Sequence, residues 1–217
     1  MRAVLRHPKL WVFGLCLLPL VRLLVLGIGG GLGANPIEFV TRSTGTWTLV
    51  GLLVTLSVTP LRRLTGRAEL IRFRRMLGLF TFFYAGLHFA TYVWLDQFFD
   101  PAAIARDIVK RPFITVGFTA FVLLTPLAAT STHTMMRRLG RRWQQLHRLV
   151  YLIALLGVIH FLWLVKKDLT EPLIYGGVLA LLLALRLPWS VGVLQAARSR
   201  FAPARSGGVQ GACGRAE

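Results

Sequence analysis

The chain has 217 residues, 55% of them hydrophobic, and a formal net charge of +18 from 26 Lys and Arg against 8 Asp and Glu. A soluble domain does not bury that much apolar surface, so the expected class is an all-α integral membrane protein. The positive charge falls in blocks between apolar runs, with none of the motifs of nucleic-acid recognition. Nucleic acid is therefore excluded as a partner, and membrane lipid is expected. The two cysteines, Cys16 and Cys213, form no CxxC pair, which speaks against a disulfide or an iron–sulfur cluster.

In chain order, the first apolar span is residues 10–28, after a basic start at Arg2, Arg6 and Lys9. It is long for a signal peptide and no A-x-A site closes it, so a retained helix is expected. Residues 29–45 read as a Gly/Asn/Pro loop. Span 2 covers residues 46–59 and is stopped by Pro60, before a basic loop at 61–75. Span 3 covers 76–95 and a polar loop 96–111. Span 4 covers 112–129, with Pro126 kinking its end. A basic loop at 131–145 leads to span 5 at 146–165, a short turn, and span 6 at 172–187. Residues 1–190 then form a six-helix membrane domain, and 191–217 a basic, disordered tail. No internal repeat is evident.

Basic residues set the orientation. One side gathers eighteen, at both termini and in the loops after spans 2 and 4; the other side has six. The first side is therefore expected to be cytoplasmic, with both termini inside. The six tryptophans fall at predicted span ends, where amphipathic rings prefer to sit.

Three histidines lie inside apolar spans: His88 in span 3, His147 at the start of span 5 and His160 near its end. Thirteen residues of helix put His147 and His160 about 20 Å apart along the axis, so they mark two depths. His88 and His160 lie at one depth near the outer face, on different helices. A polar side chain in hydrocarbon needs a partner. Two readings satisfy that: a hydrogen bond to a neighbouring helix for each, or a haem iron that takes one imidazole on each side. His147 has no matching ligand on span 3, where Arg74 and Arg75 stand at the corresponding level, and on a straight helix it faces about 220° away from His160. His133 in the inner loop is either its partner or a solvated residue, and His7 lies in the basic start. Arg22 is an intramembrane charge at the depth of His88 and His160. It pairs with a haem propionate, snorkels to the interface or meets a partner on another helix. The glycine run at 29–33 follows a membrane span rather than a strand and does not read as a dinucleotide site.

Several segments carry a more specific likeness: GLGANP (31–36), TRSTG (41–45), RRMLGL (74–79), Leu87-His88, KRPFITVG (110–117) and TSTHTMMRRLGRRWQQLHRLVY (130–151), followed by His160. Up to about residue 187 the chain resembles the MsrQ (YedZ) family, the haem-binding membrane subunits of bacterial periplasmic methionine sulfoxide reductase systems, within the ferric-reductase-like transmembrane proteins. The resemblance implies a multi-pass protein of the bacterial inner membrane that binds b-type haem, one or two, through His88, His147 and His160. It implies electron delivery from a cytoplasmic flavin reductase or a quinol to a periplasmic molybdopterin-containing methionine sulfoxide reductase subunit, and it associates FMN with the family. The chain lacks the second span-3 histidine and the flavin and nicotinamide domain of the related NADPH oxidases. Other readings of the residues are a ferric- or quinone-reductase-like b-cytochrome with another partner, and a small transporter whose histidines relay protons.

Overall fold

The computed structural model describes residues 8–165 and 168–187. His7, Lys166, Lys167, Trp189, Cys213 and the 191–217 tail lie outside them. The described chain is all helical: α1 Pro8–Ile28, α2 Pro36–Thr65, α3 Ile71–Thr91, α4 Pro101–Lys110, α5 Pro112–Ala129, α6 His133–Leu139, α7 Arg141–His147, α8 Leu149–Leu164 and α9 Thr170–Ala184. Among the described residues, five segments are long and apolar enough to cross a membrane: α1, α2, α3 with its flanking turns, α5, and α7 with α8. The expected sixth span is α9, whose 15 residues make it shorter than these.

Helix α2 begins ten residues before the expected position and runs through Pro60. Its start is built by local chemistry. The Asn35 side chain accepts from the Glu38 backbone N–H at 3.2 Å, Pro36 sits in the first turn, and Glu38 pairs with Arg42 at 2.9 Å. At the other end Gly66, at φ 70°, caps the helix with its N–H on the Arg62 carbonyl. Trp47 therefore lies well inside α2 rather than at an end. The expected loops 61–75, 96–111 and 131–145 also contain helix. Asp100 caps α4 through two backbone N–H groups, and Thr132 caps α6 through that of Met135. These short helices are too polar or too short to show as apolar runs.

The core lies where α2, α5, α8 and α9 meet. It includes Leu52, Leu53 and Leu56 of α2, Leu124 and Leu127 of α5, Ile153 and Ala154 of α8, and Leu179 and Leu182 of α9. Outward surfaces are apolar too: α1 exposes Leu10, Phe13, Leu15, Leu18, Leu24 and Val25. Such a surface suits hydrocarbon rather than water.

Hydrocarbon leaves no water to satisfy an open backbone group, and two side chains serve such groups here. Tyr84 of α3 donates to the Cys16 carbonyl at 2.7 Å and accepts from the Leu20 N–H at 3.2 Å, so its hydroxyl sits inside one rung of α1, next to Pro19. Pro60 has no N–H to give the Leu56 carbonyl four residues back. The guanidinium of Arg186, just beyond α9, donates to that fully buried carbonyl instead.

Arg186→Met is therefore expected to lower the thermal unfolding midpoint in detergent, by about 1–3 kcal/mol of stability, the usual cost of an unpaired buried carbonyl. Adding Pro60→Ala supplies a backbone N–H and should recover most of the loss. An unchanged midpoint on adding Pro60→Ala would show that Arg186 does not close this gap.

Candidate functional site

His88 on α3 and His160 on α8 come together across the bundle. Their ring centroids are 6.2 Å apart and the planes are inclined at 76°. Each ring is tied through Nδ1 to a backbone carbonyl, His88 to Thr41 of α2 at 2.9 Å and His160 to Phe113 of α5 at 2.7 Å. With Nδ1–H donating to those carbonyls, each Nε2 is left as the lone-pair nitrogen, the tautomer a metal-binding histidine uses.

Two glycines make the approach. A Cβ on Gly45 would lie 3.0 Å from His88 Cε1, and one on Gly117 would lie 2.6 Å from His160 Nδ1. Each glycine sits one helical turn after the carbonyl its histidine uses, Gly45 after Thr41 and Gly117 after Phe113. The two cradles are copies of one device: carbonyl and histidine are separated by 47 residues in both. The molecule thus uses the same carbonyl–glycine–histidine arrangement on α2–α3 and on α5–α8. The shared arrangement consists of three positions, too few to stand out among apolar residues.

Around the pair, α3 and α5 are joined by Phe89 stacked on Phe121 at 4.8 Å and by Phe82 stacked on Phe121 at 5.9 Å. Beyond His88 the helix widens, with the Gln97 N–H on the Tyr92 carbonyl at 3.0 Å, and the chain turns through Phe98 and Phe99 at φ 47° and 60°.

The separation has a chemical meaning. A metal–imidazole bond is about 2 Å and a ring nitrogen lies about 1 Å from its ring centre, so two imidazoles on opposite sides of one metal have centroids about 6 Å apart. The pair, its free Nε2 atoms and the glycine cradles thus fit bis-histidine ligation of one iron. Among the described residues no group of three or more His, Cys, Asp or Glu could hold a metal ion.

The other expected residues stand apart from this pair. His147 ends α7, and Arg148, itself in the α conformation, joins it to α8 through a local tightening in which the Arg148 N–H donates to the Gln145 carbonyl and the Tyr151 N–H to the Arg148 carbonyl, both at 3.1 Å. The His147 Nδ1 lies 3.0 Å from the Trp143 carbonyl and its ring stacks on Trp143 at 3.9 Å. Its Nε2 is buried without a hydrogen-bond partner, although the Leu127 carbonyl is close to the imidazole. His133 is exposed at the start of α6. Arg22 is exposed and rests over the Phe39 ring at 5.9 Å; no contact links it to either histidine of the pair. Sequence reasoning missed Gly45, Gly117 and the two carbonyls. The signal available was a glycine 43 positions before each histidine.

Gly117→Ala should displace the His160 ring and lower the thermal unfolding midpoint. Gly78→Ala, where an added Cβ meets nothing within 4 Å, should raise stability by about 0.5–1 kcal/mol through helix propensity. Similar effects from both would mean that Gly117 does not cradle the ring.

Residues 43–158 match the family described as "Ferric reductase like transmembrane component". That stretch contains Gly45, His88, Gly117 and His147, and ends just before His160. The chain is also 60% identical over 182 residues to the "Protein-methionine-sulfoxide reductase heme-binding subunit MsrQ" of Bordetella pertussis, covering 83% of this chain and 87% of that protein. It is 60% identical over 188 residues to the MsrQ of Ralstonia nicotianae, covering 85% and 87%. Against the MsrQ of Rhodospirillum rubrum it is 55% identical over 199 residues, covering 91% and 94%. No solved structure matches. With a histidine pair set between four apolar helices and these likenesses along most of its length, the chain belongs to the MsrQ family of ferric-reductase-like transmembrane proteins.

Proposed function

We propose that this protein is the membrane electron-transfer subunit of a methionine sulfoxide reductase system, with a b-type haem held between His88 and His160. The observation that carries the reading is the glycine-cradled pair at 6.2 Å, each ring tied by Nδ1 to a carbonyl. A haem there supplies reversible one-electron transfer. The chain's own part is positional. Thr41 and Phe113 fix the imidazole tautomers and orientations, Gly45 and Gly117 admit the rings, and Phe82, Phe89 and Phe121 wall the site with apolar surface. His147, with its unpartnered Nε2, would hold an inner haem or belongs to the electron entry point.

Residues 1–190 form the haem-binding membrane domain and 191–217 a cytoplasmic tail. The domain crosses the bacterial inner membrane six times, α9 included, and both termini are cytoplasmic, as the clustering of basic residues at one end supports. Electrons enter at that basic end from a cytoplasmic flavin reductase or a quinol. They leave at the histidine end to a periplasmic molybdopterin-containing subunit that reduces methionine sulfoxide in proteins. Arg22, whose guanidinium rests on Phe39, serves as an interfacial anchor near that end, or reaches a haem propionate after moving off the ring. FMN, which the family resemblance brings with it, enters no step of this scheme.

The detergent-purified chain should show a reduced-minus-oxidised spectrum of low-spin b-type haem. His88→Ala and His160→Ala should each abolish the signal of the outer haem. His147→Ala should about halve the haem per chain if an inner haem is present. A colourless wild type, expressed with ample haem, would remove the basis of the reading and favour a histidine proton relay.

A further inference from the structure

The two histidine cradles share a carbonyl, a glycine and an imidazole, but they differ in hydroxyl groups. Thr41 supplies the carbonyl on one side and Phe113 on the other. Just before the cradling glycines, Thr44 precedes Gly45 where Val116 precedes Gly117. Three residues after the histidines, Thr91 corresponds to Trp163. At each of these positions the His88 side carries a hydroxyl and the His160 side carries none.

The hydroxyls are bonded around the carbonyl that His88 uses. Thr44 is only 2% exposed, and its Oγ–H is shared between the Val40 carbonyl at 2.8 Å and the Thr41 carbonyl at 3.0 Å. A carbonyl oxygen has two lone pairs. The Thr41 oxygen already serves the hydrogen-bond ladder of α2, so the Thr44 hydroxyl and the His88 Nδ1–H compete for what remains. Thr41 Oγ–H donates to Thr91 Oγ at 3.3 Å, and Thr91 Oγ–H donates to the His88 carbonyl at 2.8 Å, which ties α2 to α3 beside the ring. On the other side Val116 has no hydroxyl to offer. The His160 Nδ1 lies 2.7 Å from the Phe113 carbonyl, against 2.9 Å for His88 and Thr41.

This difference bears on how each ring acts as a ligand. A stronger Nδ1–H···O=C bond makes the other ring nitrogen a more basic donor to a metal. A carbonyl that also accepts from a hydroxyl has less electron density left for the imidazole. We propose that Thr44 is a positioning residue for His88: its hydroxyl competes for the Thr41 carbonyl, so that His88 is the weaker and His160 the stronger donor of the pair. The redox consequence rests on the pair holding haem, whereas the unequal hydrogen bonds belong to the protein itself. With haem bound, the weaker His88 bond holds the reduction potential above that of a pair with two unshared carbonyls.

The test is nuclear magnetic resonance of the full chain in detergent, with isotope-labelled histidine and under reducing conditions that leave bound haem iron diamagnetic. The Nδ1–H protons are assigned by their loss on replacing each histidine, and a stronger hydrogen bond moves such a proton downfield. Thr44→Val should move the His88 proton downfield and leave that of His160 in place, and Thr44→Ser, which keeps the hydroxyl, should restore the wild-type position. Val116→Thr, which gives the second cradle the hydroxyl it lacks, should move the His160 proton upfield. Thr48→Val removes a hydroxyl that donates to the Thr44 carbonyl instead, and should move neither. In the haem-loaded protein Thr44→Val should lower the reduction potential, raising the ratio of oxidised to reduced haem at a fixed applied potential by about twofold or more, as the gain of a modest hydrogen bond does. A His88 proton that stays in place in Thr44→Val, or moves no more than in Thr48→Val, would overturn the proposal even with the b-type spectrum present. A wild type without haem whose His88 proton responds to Thr44→Val would sink the haem reading and bear out the competition at Thr41.

Discussion

A backbone polar group placed in hydrocarbon is costly unless it finds a partner inside the protein, and the architecture follows from how a few side chains meet that demand. Two imidazoles spend Nδ1 on backbone carbonyls of neighbouring helices, and their rings come to 6.2 Å of one another. A tyrosine hydroxyl replaces a rung of α1 and so ties that lipid-facing helix to the helix that carries His88. An arginine replaces the donor that Pro60 lacks and ties the ends of α2, α8 and α9 together. These polar contacts register the helices against one another, which apolar packing alone does weakly in a lipid solvent.

The same constraint explains why the site is built twice from one plan. A carbonyl that accepts an extra hydrogen bond needs an open approach, and a glycine one turn further on provides it. Two such carbonyl–glycine positions, on α2 and α5, receive histidines from α3 and α8. The helix pairs α2–α3 and α5–α8 then bring the two rings to one level. A larger residue at either glycine would force its imidazole away from the neighbouring helix, and the 6.2 Å separation would go with it.

Much of this was legible in the chain. The apolar runs located the spans, because length and hydropathy decide them, and matched depth singled out His88 and His160. Helix ends were less legible, since they rest on single polar contacts. Asn35 and Glu38 start α2 within a stretch that reads as loop, and Pro60 does not stop it because a distant arginine supplies the missing donor. Gly45 and Gly117 were hidden among glycines common in membrane helices; only the approach of a second helix gives them a task. Arg22 is visible in the chain as a charge inside an apolar run, but that its side chain meets the Phe39 ring depends on how α1 is rotated.

The central claim is that His88 and His160 bind one iron from opposite sides in the relative orientation seen here. An electron paramagnetic resonance spectrum of the oxidised, haem-loaded protein reads that orientation directly. Imidazole planes inclined at 76° predict a highly anisotropic low-spin ferric signal with a large maximal g value, lost on replacing either histidine. A rhombic low-spin signal of parallel imidazoles, or a high-spin signal at full haem occupancy, would contradict the account.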